Sequence, residues 1–163
     1  MPLTASERSD LIRRYAEGAA KLRAAWERVP PEARKWRPGE GKWSAHEVVC
    51  HAADSESNAY VRIRYLASDP NPTIFGYDQE RWAKNLDYHS GSPDLALKTV
   101  DAVRANTVDL LERLPESAWA AVGTHTDSGR YTGEDWLKSY AEHLEKHSRQ
   151  IDRNMEAWKS RKA

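Results

Sequence analysis

Four segments of this chain carry apolar residues at steps of three and four, the spacing of one face of an α-helix. The apolar stripes begin at Leu11, Val48, Leu97 and Trp136, and each continues over several helical turns. No segment reads as a pair of β-strands. We therefore expect an all-α fold, a four-helix bundle, built as a single domain over residues 1–163.

Local signals mark where each predicted helix begins. Three segments open with a capping box, in which a Ser or Thr and an acid three residues later cap the first turn. The pairs are Thr4 with Glu7, Ser44 with Glu47 and Thr132 with Asp135. The third segment opens instead with Ser92 as the cap and Pro93 at the first position.

The long connection between the second and third helices sets the predicted topology. It covers residues 67–91 and includes a short helical turn that we expect to start at Asp78. Antiparallel neighbours need only a few linking residues, whereas a link of this length lets the chain return along the bundle. The sequence therefore predicts an up-down-down-up bundle in which the second and third helices run parallel.

Charge and composition limit which kinds of binding partner and which cellular compartment we expect. The chain has 25 Lys and Arg against 25 Asp and Glu, which gives no electrostatic reason to expect a nucleic acid or a membrane as partner. Its apolar runs are too short to span a bilayer. A single cysteine, Cys50, and a start that lacks a signal-peptide core predict a cytoplasmic protein without an internal disulfide.

Three of the six histidines are predicted to face the inside of the bundle. His143 and His147 lie one turn apart within the apolar stripe of the fourth helix, and His51 lies at the edge of the stripe of the second. If these helices are antiparallel, the three imidazoles lie at nearly the same height along the bundle. Such a set can bind one divalent metal ion, because a third imidazole on a facing helix completes the i, i+4 pair.

The remaining histidines and the cysteine are expected elsewhere. By the same helical count His46 and Cys50 face away from the stripe, and His89 and His125 lie in loops. A core histidine with an ordinary hydrogen-bond partner is the alternative for each inward imidazole. The cost of burying several imidazoles without polar partners favours the metal site.

Other metal-site patterns fit the sequence less well. Leu144 follows His143 where a zincin would have Glu, and Tyr140 precedes it where a di-iron carboxylate bundle would have Glu. A lone Cys50 excludes paired-cysteine sites. Three neutral imidazoles leave coordination positions open for water or substrate, which is typical of a catalytic ion.

Three segments together resemble the DinB-like superfamily of metal-binding four-helix bundles. They are GKWSAHEVVCHAADSE around His51, PTIFGYDQERWA in the long connection, and YTGEDWLKSYAEHLEKHSRQID around His143 and His147. The resemblance implies the up-down-down-up order and the three histidines as ligands of one divalent ion, which could be zinc, nickel, iron or manganese. It also implies a homodimer that acts on a small molecule.

The resemblance leaves three functions open. The favoured one is a metal-dependent transferase that adds a low-molecular-weight thiol, as cosubstrate, to an electrophilic substrate. The second is a metal-dependent hydrolase in which the ion activates a bound water. The third is a stress-associated metal-binding protein without catalytic turnover.

Three carboxylates are candidate bases for the hydrolase. Asp54 and Glu56 follow His51 on the second helix, and Asp78 lies in the long connection. Asp54 could equally orient a ligand. The more common role for such an aspartate is a solvated or ion-paired surface group.

Further pocket candidates come from the long connection and the third helix. Tyr77, Asp78 and Arg81 lie where this topology would cover the metal end, although they could simply pack and cap a short helix. Arg104, beside the stripe of the third helix, could hold a substrate carboxylate. We favour for it the alternative of a snorkelling surface arginine.

Overall fold

Six helices and a small sheet make up the computed structural model, which describes residues 2–161. The ends of the predicted domain, Met1 and residues 162–163, lie outside the described part. Four helices are long and two are short. In chain order they are α1 (Ala5–Glu27), α2 (Ala45–Ser68), α3 (Gln79–Asn85), α4 (Pro93–Leu111), α5 (Glu116–Ala120) and α6 (Gly133–Ser160).

The predicted starts of the long helices are confirmed. All three capping boxes are present, with both the side-chain and the reciprocal acidic hydrogen bond, at Thr4, Ser44 and Thr132. Ser92 caps α4, and Asp78 caps the short helix α3 as predicted. These caps bond backbone N–H groups that have no partner inside the helix.

The expectation that the chain forms no strands is wrong. Three strands, β1 (Thr73–Ile74), β2 (Val122–His125) and β3 (Gly129–Thr132), form one sheet in the order β1-β2-β3. β1 pairs parallel with β2, and β2 pairs antiparallel with β3. Strands of two to four residues are too short to show a clear alternation of apolar and polar residues. The β1–β2 pairing also joins two connections far apart in the sequence.

Side-chain contacts show the relative directions of the long helices. Between α2 and α6 the partners run in opposite order, since Asn154 Nδ2 donates to Trp43 O and Trp136 Nε1 donates to Ala59 O. Between α2 and α4 the residue numbers of the partners increase together on both helices. The α2–α4 pairs are His46 with Gly91, Glu56 with Arg104, and Arg64 with Asn106.

The core is apolar at both ends of the bundle. Trp136, Leu137 and Ile151 of α6 are fully buried, as are Val48 and Ile63 of α2. Removing such side chains from water contributes roughly 1.5–3 kcal/mol each before the loss of conformational freedom is counted. This packing fixes α2 against α6, the two helices that carry the predicted histidines. No helix among the described residues is long and apolar enough to cross a membrane.

His46 and Cys50, predicted to face away from the apolar stripe and outward, are not exposed to solvent. Both side chains are buried, because α3 and the turn that follows it cover this face of α2. His46 Nε2 lies 2.8 Å from the carbonyl oxygen of Gly91, and Cys50 packs against Ala83 and Tyr88. A helical count places residues around one axis and says nothing of what a long connection covers.

Candidate metal centre

The three predicted histidines meet between α2 and α6. One ring nitrogen from each of His51, His143 and His147 lies within 4.8 Å of the other two. The His143 and His147 ring centroids are 4.6 Å apart, and the His51 ring is 5.8 Å and 4.9 Å from them. Three converging ring nitrogens are the ligand set that a single divalent ion takes from histidine.

Glu56 fixes the protonation of His143. His143 Nδ1 lies 2.8 Å from Glu56 Oε1, and the carboxylate is fully buried. An ionised carboxylate only accepts hydrogen bonds, so Nδ1 carries the proton and donates it. The lone pair of a neutral His143 therefore lies on Nε2, which faces the other two histidines.

Gln150 does the same for His147. His147 Nδ1 donates to Gln150 Oε1 at 2.9 Å, one turn further along α6, which leaves the lone pair on Nε2. The two Nε2 atoms of His147 and His143 are 3.1 Å apart. Two nitrogens bound to one zinc ion at about 2.0–2.1 Å each accommodate such a separation.

His51 is buried without a hydrogen bond on either ring nitrogen. The Trp43 ring packs against it at 4.7 Å. Burial, followed by the neighbouring His147 and His143, lowers the pKa of His51 to about 2, and burial also lowers the pKa of His147 to about 4. Both imidazoles are therefore neutral near pH 7, the form that binds a metal.

A buried ion pair with Arg104 holds Glu56 in place beside His143. Arg104 donates from Nε and Nη2 to the two oxygens of Glu56, each at 2.9 Å, and also to the carbonyl oxygens of Tyr15 and Tyr140. Burial tends to raise the pKa of Glu56, but the charge of Arg104 and the bond from His143 hold it at about 2. Glu56 is therefore an ionised, fully engaged carboxylate.

This pair corrects the surface interpretation of Arg104. Its side chain is buried, and the guanidinium is occupied by Glu56 and two backbone carbonyls. It is unavailable for a substrate carboxylate, the other role considered for it. Its position fits a residue that orients Glu56, and through Glu56 the ring of His143.

The other predicted pocket residues are more dispersed. Asp54 accepts a 2.6 Å hydrogen bond from the Tyr88 hydroxyl. Asp78 caps α3 by accepting from the backbone N–H of Arg81, whose own side chain is exposed. Only Tyr77 turns toward the histidines. Its hydroxyl is buried beside Ser55 without a hydrogen bond of normal geometry.

Two residues of the site were not singled out from the sequence. Ser55 Oγ lies 3.3 Å from Nε2 of His143, and Gln150 bonds His147. Glu56 was considered only as a base, although it occupies a position of the apolar stripe between Ala52 and Ala59. A charged residue inside such a stripe signals a buried polar partner.

Three imidazoles that converge between two helices of a bundle form a group that could hold a divalent metal ion. The chain belongs to the DinB superfamily, whose sequence profile matches residues 14–151. The matched range contains all three histidines of the cluster together with Glu56 and Arg104.

Relatives of known sequence carry a provisional functional name. A protein of Oceanobacillus iheyensis, OB0782, is 30% identical over 66% of this chain and 62% of its own length. A Bacillus mycoides protein, BcerKBAB4_2443, is 32% identical over 68% of this chain and 64% of its own. Both are provisionally named metal-dependent hydrolases. The similarity spans less than two thirds of these relatives.

Two solved structures share the fold. YfiT from Bacillus subtilis superimposes with a TM-score of 0.87 and 25% identity, over 93% of this chain and 87% of YfiT. It is described, again provisionally, as a metal-dependent hydrolase with an unusual four-helix bundle topology. A mycothiol-dependent maleylpyruvate isomerase matches with a TM-score of 0.71 at 13% identity, over 91% of this chain and 61% of the isomerase. That likeness concerns the fold alone.

Proposed function

We propose that this protein is a divalent-metal-dependent enzyme whose ligands are His51, His143 and His147. One observation carries the proposal. The Nε2 atoms of His143 and His147 lie 3.1 Å apart, each with its proton held on the far side of the ring by a protein oxygen. A divalent cation beside these two nitrogens would accept a lone pair from each ring.

A divalent ion held there supplies positive charge that lowers the pKa of a thiol or water beside it. The chain supplies the orientation. Glu56 and Gln150 hold the two α6 imidazoles, and the Trp43 ring packs against His51 and limits its contact with water. The charge of Arg104 keeps Glu56 ionised, and therefore keeps the His143 ring in its ligand form.

Transfer of a low-molecular-weight thiol to an electrophile is the reaction that this site supports best. A hydrolase commonly uses a carboxylate base, and the candidates are engaged elsewhere: Glu56 by Arg104, Asp54 by Tyr88, and Asp78 as a helix cap. A thiol needs less help, because its ordinary pKa of about 8.5 is far below that of water.

The nucleophilic sulfur comes from the cosubstrate. Burial raises the pKa of Cys50 to about 11, and Cys50 packs against Ala83 and Tyr88 on another face of α2. In the proposed reaction the thiol loses its proton, its sulfur forms a bond to an electrophilic carbon, and the bond from that carbon to the leaving group breaks. The proton ends on the leaving group or in solvent, and no oxidant or reductant is needed.

Hydrolysis is the second candidate, and the provisional names of the relatives and of YfiT favour it. In that case the Tyr77 hydroxyl, buried beside Ser55, is a group of the predicted set that could position a water. A non-catalytic metal-binding protein is the third. The same ligand set serves all three.

We also infer that the long helices follow the up-down-down-up order. Along the contacts between α2 and α6 the residue numbers increase on one helix and decrease on the other. Along those between α2 and α4 they increase on both. Between α1 and α6 the residue numbers of the partners also increase on both helices, as in the pairs Arg14 with Glu145 and Arg28 with Asp152. This order supports placing His51 level with the α6 pair.

The metal claim is tested by titrating chelator-treated protein with zinc, nickel, manganese and iron(II) in turn. We expect one equivalent to bind, and His147→Ala to weaken binding by at least about tenfold. His89→Ala is the matched control, because His89 lies on the other face of α2 beside His46. Absence of stoichiometric binding, or unchanged binding in His147→Ala, contradicts the proposal.

The reaction is tested on the metal-loaded protein with monochlorobimane as electrophile and cysteine as a generic thiol. Metal-dependent conjugation above the uncatalysed rate supports the transferase. Cleavage of p-nitrophenyl acetate without a thiol selects the hydrolase instead. Binding of metal with neither activity favours the non-catalytic protein.

A further inference from the structure

Arg62 of α2 is a half-buried cation without a counter-ion. Its Nη1 donates to the Tyr140 hydroxyl at 2.9 Å and its Nη2 donates to the carbonyl oxygen of Phe75. Both acceptors are neutral, and the described residues bring no carboxylate within ion-pair distance. Most other partly buried cations here have such a partner, as Arg104 has in Glu56.

Two hydroxyl protons beside Arg62 also lack an acceptor. Tyr140 is 6% exposed and its oxygen accepts from Arg62, so its own proton is free to be donated. The Tyr77 hydroxyl is buried without a hydrogen bond of normal geometry, and the Arg62 guanidinium lies 5.8 Å from the Tyr77 ring. The surroundings of Arg62 are therefore rich in donors and poor in acceptors.

These donors border the three-histidine cluster. The Tyr140 ring is 5.6 Å from the His143 ring, and Tyr77 lies beside Ser55, whose hydroxyl is 3.3 Å from His143 Nε2. The charge of Arg62 also reaches His125, where it adds to burial in lowering that pKa. An unneutralised positive field thus lies next to the proposed metal ligands.

We propose that Arg62, Tyr140 and Tyr77 form a subsite that binds an oxyanion, a carboxylate or a phosphate, of the substrate or the thiol. The inference rests on the proposed metal-dependent function and adds a class of ligand to it. A guanidinium and hydroxyl donors that lack acceptors are the groups that recognise oxyanions. A ligand held by the ion at one end and by Arg62 at the other is fixed at two points, which orients its reacting atom.

The test uses cobalt(II)-loaded protein and three thiols of similar length, followed by thiolate-to-cobalt absorption. They are 3-mercaptopropionate, 2-mercaptoethylphosphonate and the neutral 3-mercaptopropionamide. We expect one of the two anions to bind at least about tenfold more tightly than the amide, since a charge-assisted hydrogen bond is worth roughly that factor. The tighter anion identifies the oxyanion as carboxylate or phosphate.

Two variants assign the preference to this subsite. Arg62→Gln is expected to abolish it, and Tyr140→Phe, which keeps the ring that packs on Trp136, to reduce it several-fold. Arg113→Gln is the matched control, because Arg113 is exposed and pairs with Asp109. Circular dichroism checks that Arg62→Gln is folded, and Tyr140→Phe carries the test if it is not.

The outcomes separate the two proposals. If cobalt does not bind at all, the metal function fails first. If cobalt binds but charged and neutral thiols bind equally, or if Arg62→Gln keeps the preference, the subsite is wrong while the metal function stands. In that case Arg62 only tethers the segment that contains Phe75.

Discussion

Nε2 of His147 lies 3.1 Å from Nε2 of His143, and hydrogen bonds on the opposite side of each ring hold both protons away from this gap. A protein interior normally places a donor against an acceptor. A cation that both nitrogens bind in the folded protein is absent from the unfolded chain, so we expect the site to link metal binding to folding stability.

Metal binding should raise the melting temperature. A ligand present at a thousand times its dissociation constant stabilises a folded protein by about 4 kcal/mol, if it does not bind the unfolded chain. We expect zinc to raise the melting temperature of the wild-type protein and of His89→Ala by similar amounts, and that of His147→Ala by clearly less. Differential scanning fluorimetry with and without chelator measures this. Equal shifts in all three proteins would show that zinc acts elsewhere.

Replacing Glu56 should affect both stability and metal affinity. Glu56→Gln leaves the buried Arg104 without its counter-ion, a change that costs about 3–5 kcal/mol. It also weakens the acceptor of His143 Nδ1, which lowers metal affinity by roughly 10–100-fold. Urea unfolding of the metal-free protein and a zinc titration at low temperature separate the two effects.

A companion variant isolates the ion pair. Glu56→Gln combined with Arg104→Met removes both charges, so it should be more stable than Glu56→Gln alone. If the double variant is the less stable one, then Arg104 contributes mainly through its bonds to the backbone carbonyls of Tyr15 and Tyr140.

The capping box of α2 should contribute measurably, because it holds the helix that carries His51. Ser44→Ala removes a fully buried cap and should cost about 0.5–2 kcal/mol. Thr4→Ala makes the same change at the exposed cap of α1 and should cost less. Urea unfolding of both variants checks the difference, and an equal loss would mean that burial of Ser44 adds nothing.

Features set by neighbours in the sequence were the ones that could be predicted. The three capping boxes and the i, i+4 pair His143 and His147 depend on spacing along one helix. His51 could be added to this pair because the apolar stripes show which side of α2 and of α6 points into the bundle.

Features set by distant contacts could not be predicted. The ion pair of Glu56 with Arg104 joins residues 48 positions apart, and the β1–β2 pairing joins two connections. His46 and Cys50 are buried by α3 and the turn after it, not by their own helix. Arg62 could not be predicted as a site residue, because an arginine on a helix edge is usually solvated.

The metal-free protein should lose stability as the pH falls below about 6.5. Burial lowers the pKa of His51 to about 2 and that of His147 to about 4, whereas both residues in the unfolded chain titrate near 6.5. Between those values the unfolded chain binds more protons, so acid favours unfolding. The destabilisation is absent above pH 6.5 and grows as the pH falls, for each ring down to its pKa in the folded protein.

Each histidine adds at most about 1.4 kcal/mol per pH unit to this slope, because that is the free energy of one proton per pH unit. Replacing His147 by Gln should therefore flatten the dependence between pH 6.5 and 4. Urea unfolding at half-unit steps of pH in the presence of chelator gives the slopes. If wild type and His147→Gln have the same slope, His147 takes up its proton at the same pH in the folded and the unfolded protein, and burial does not lower its pKa.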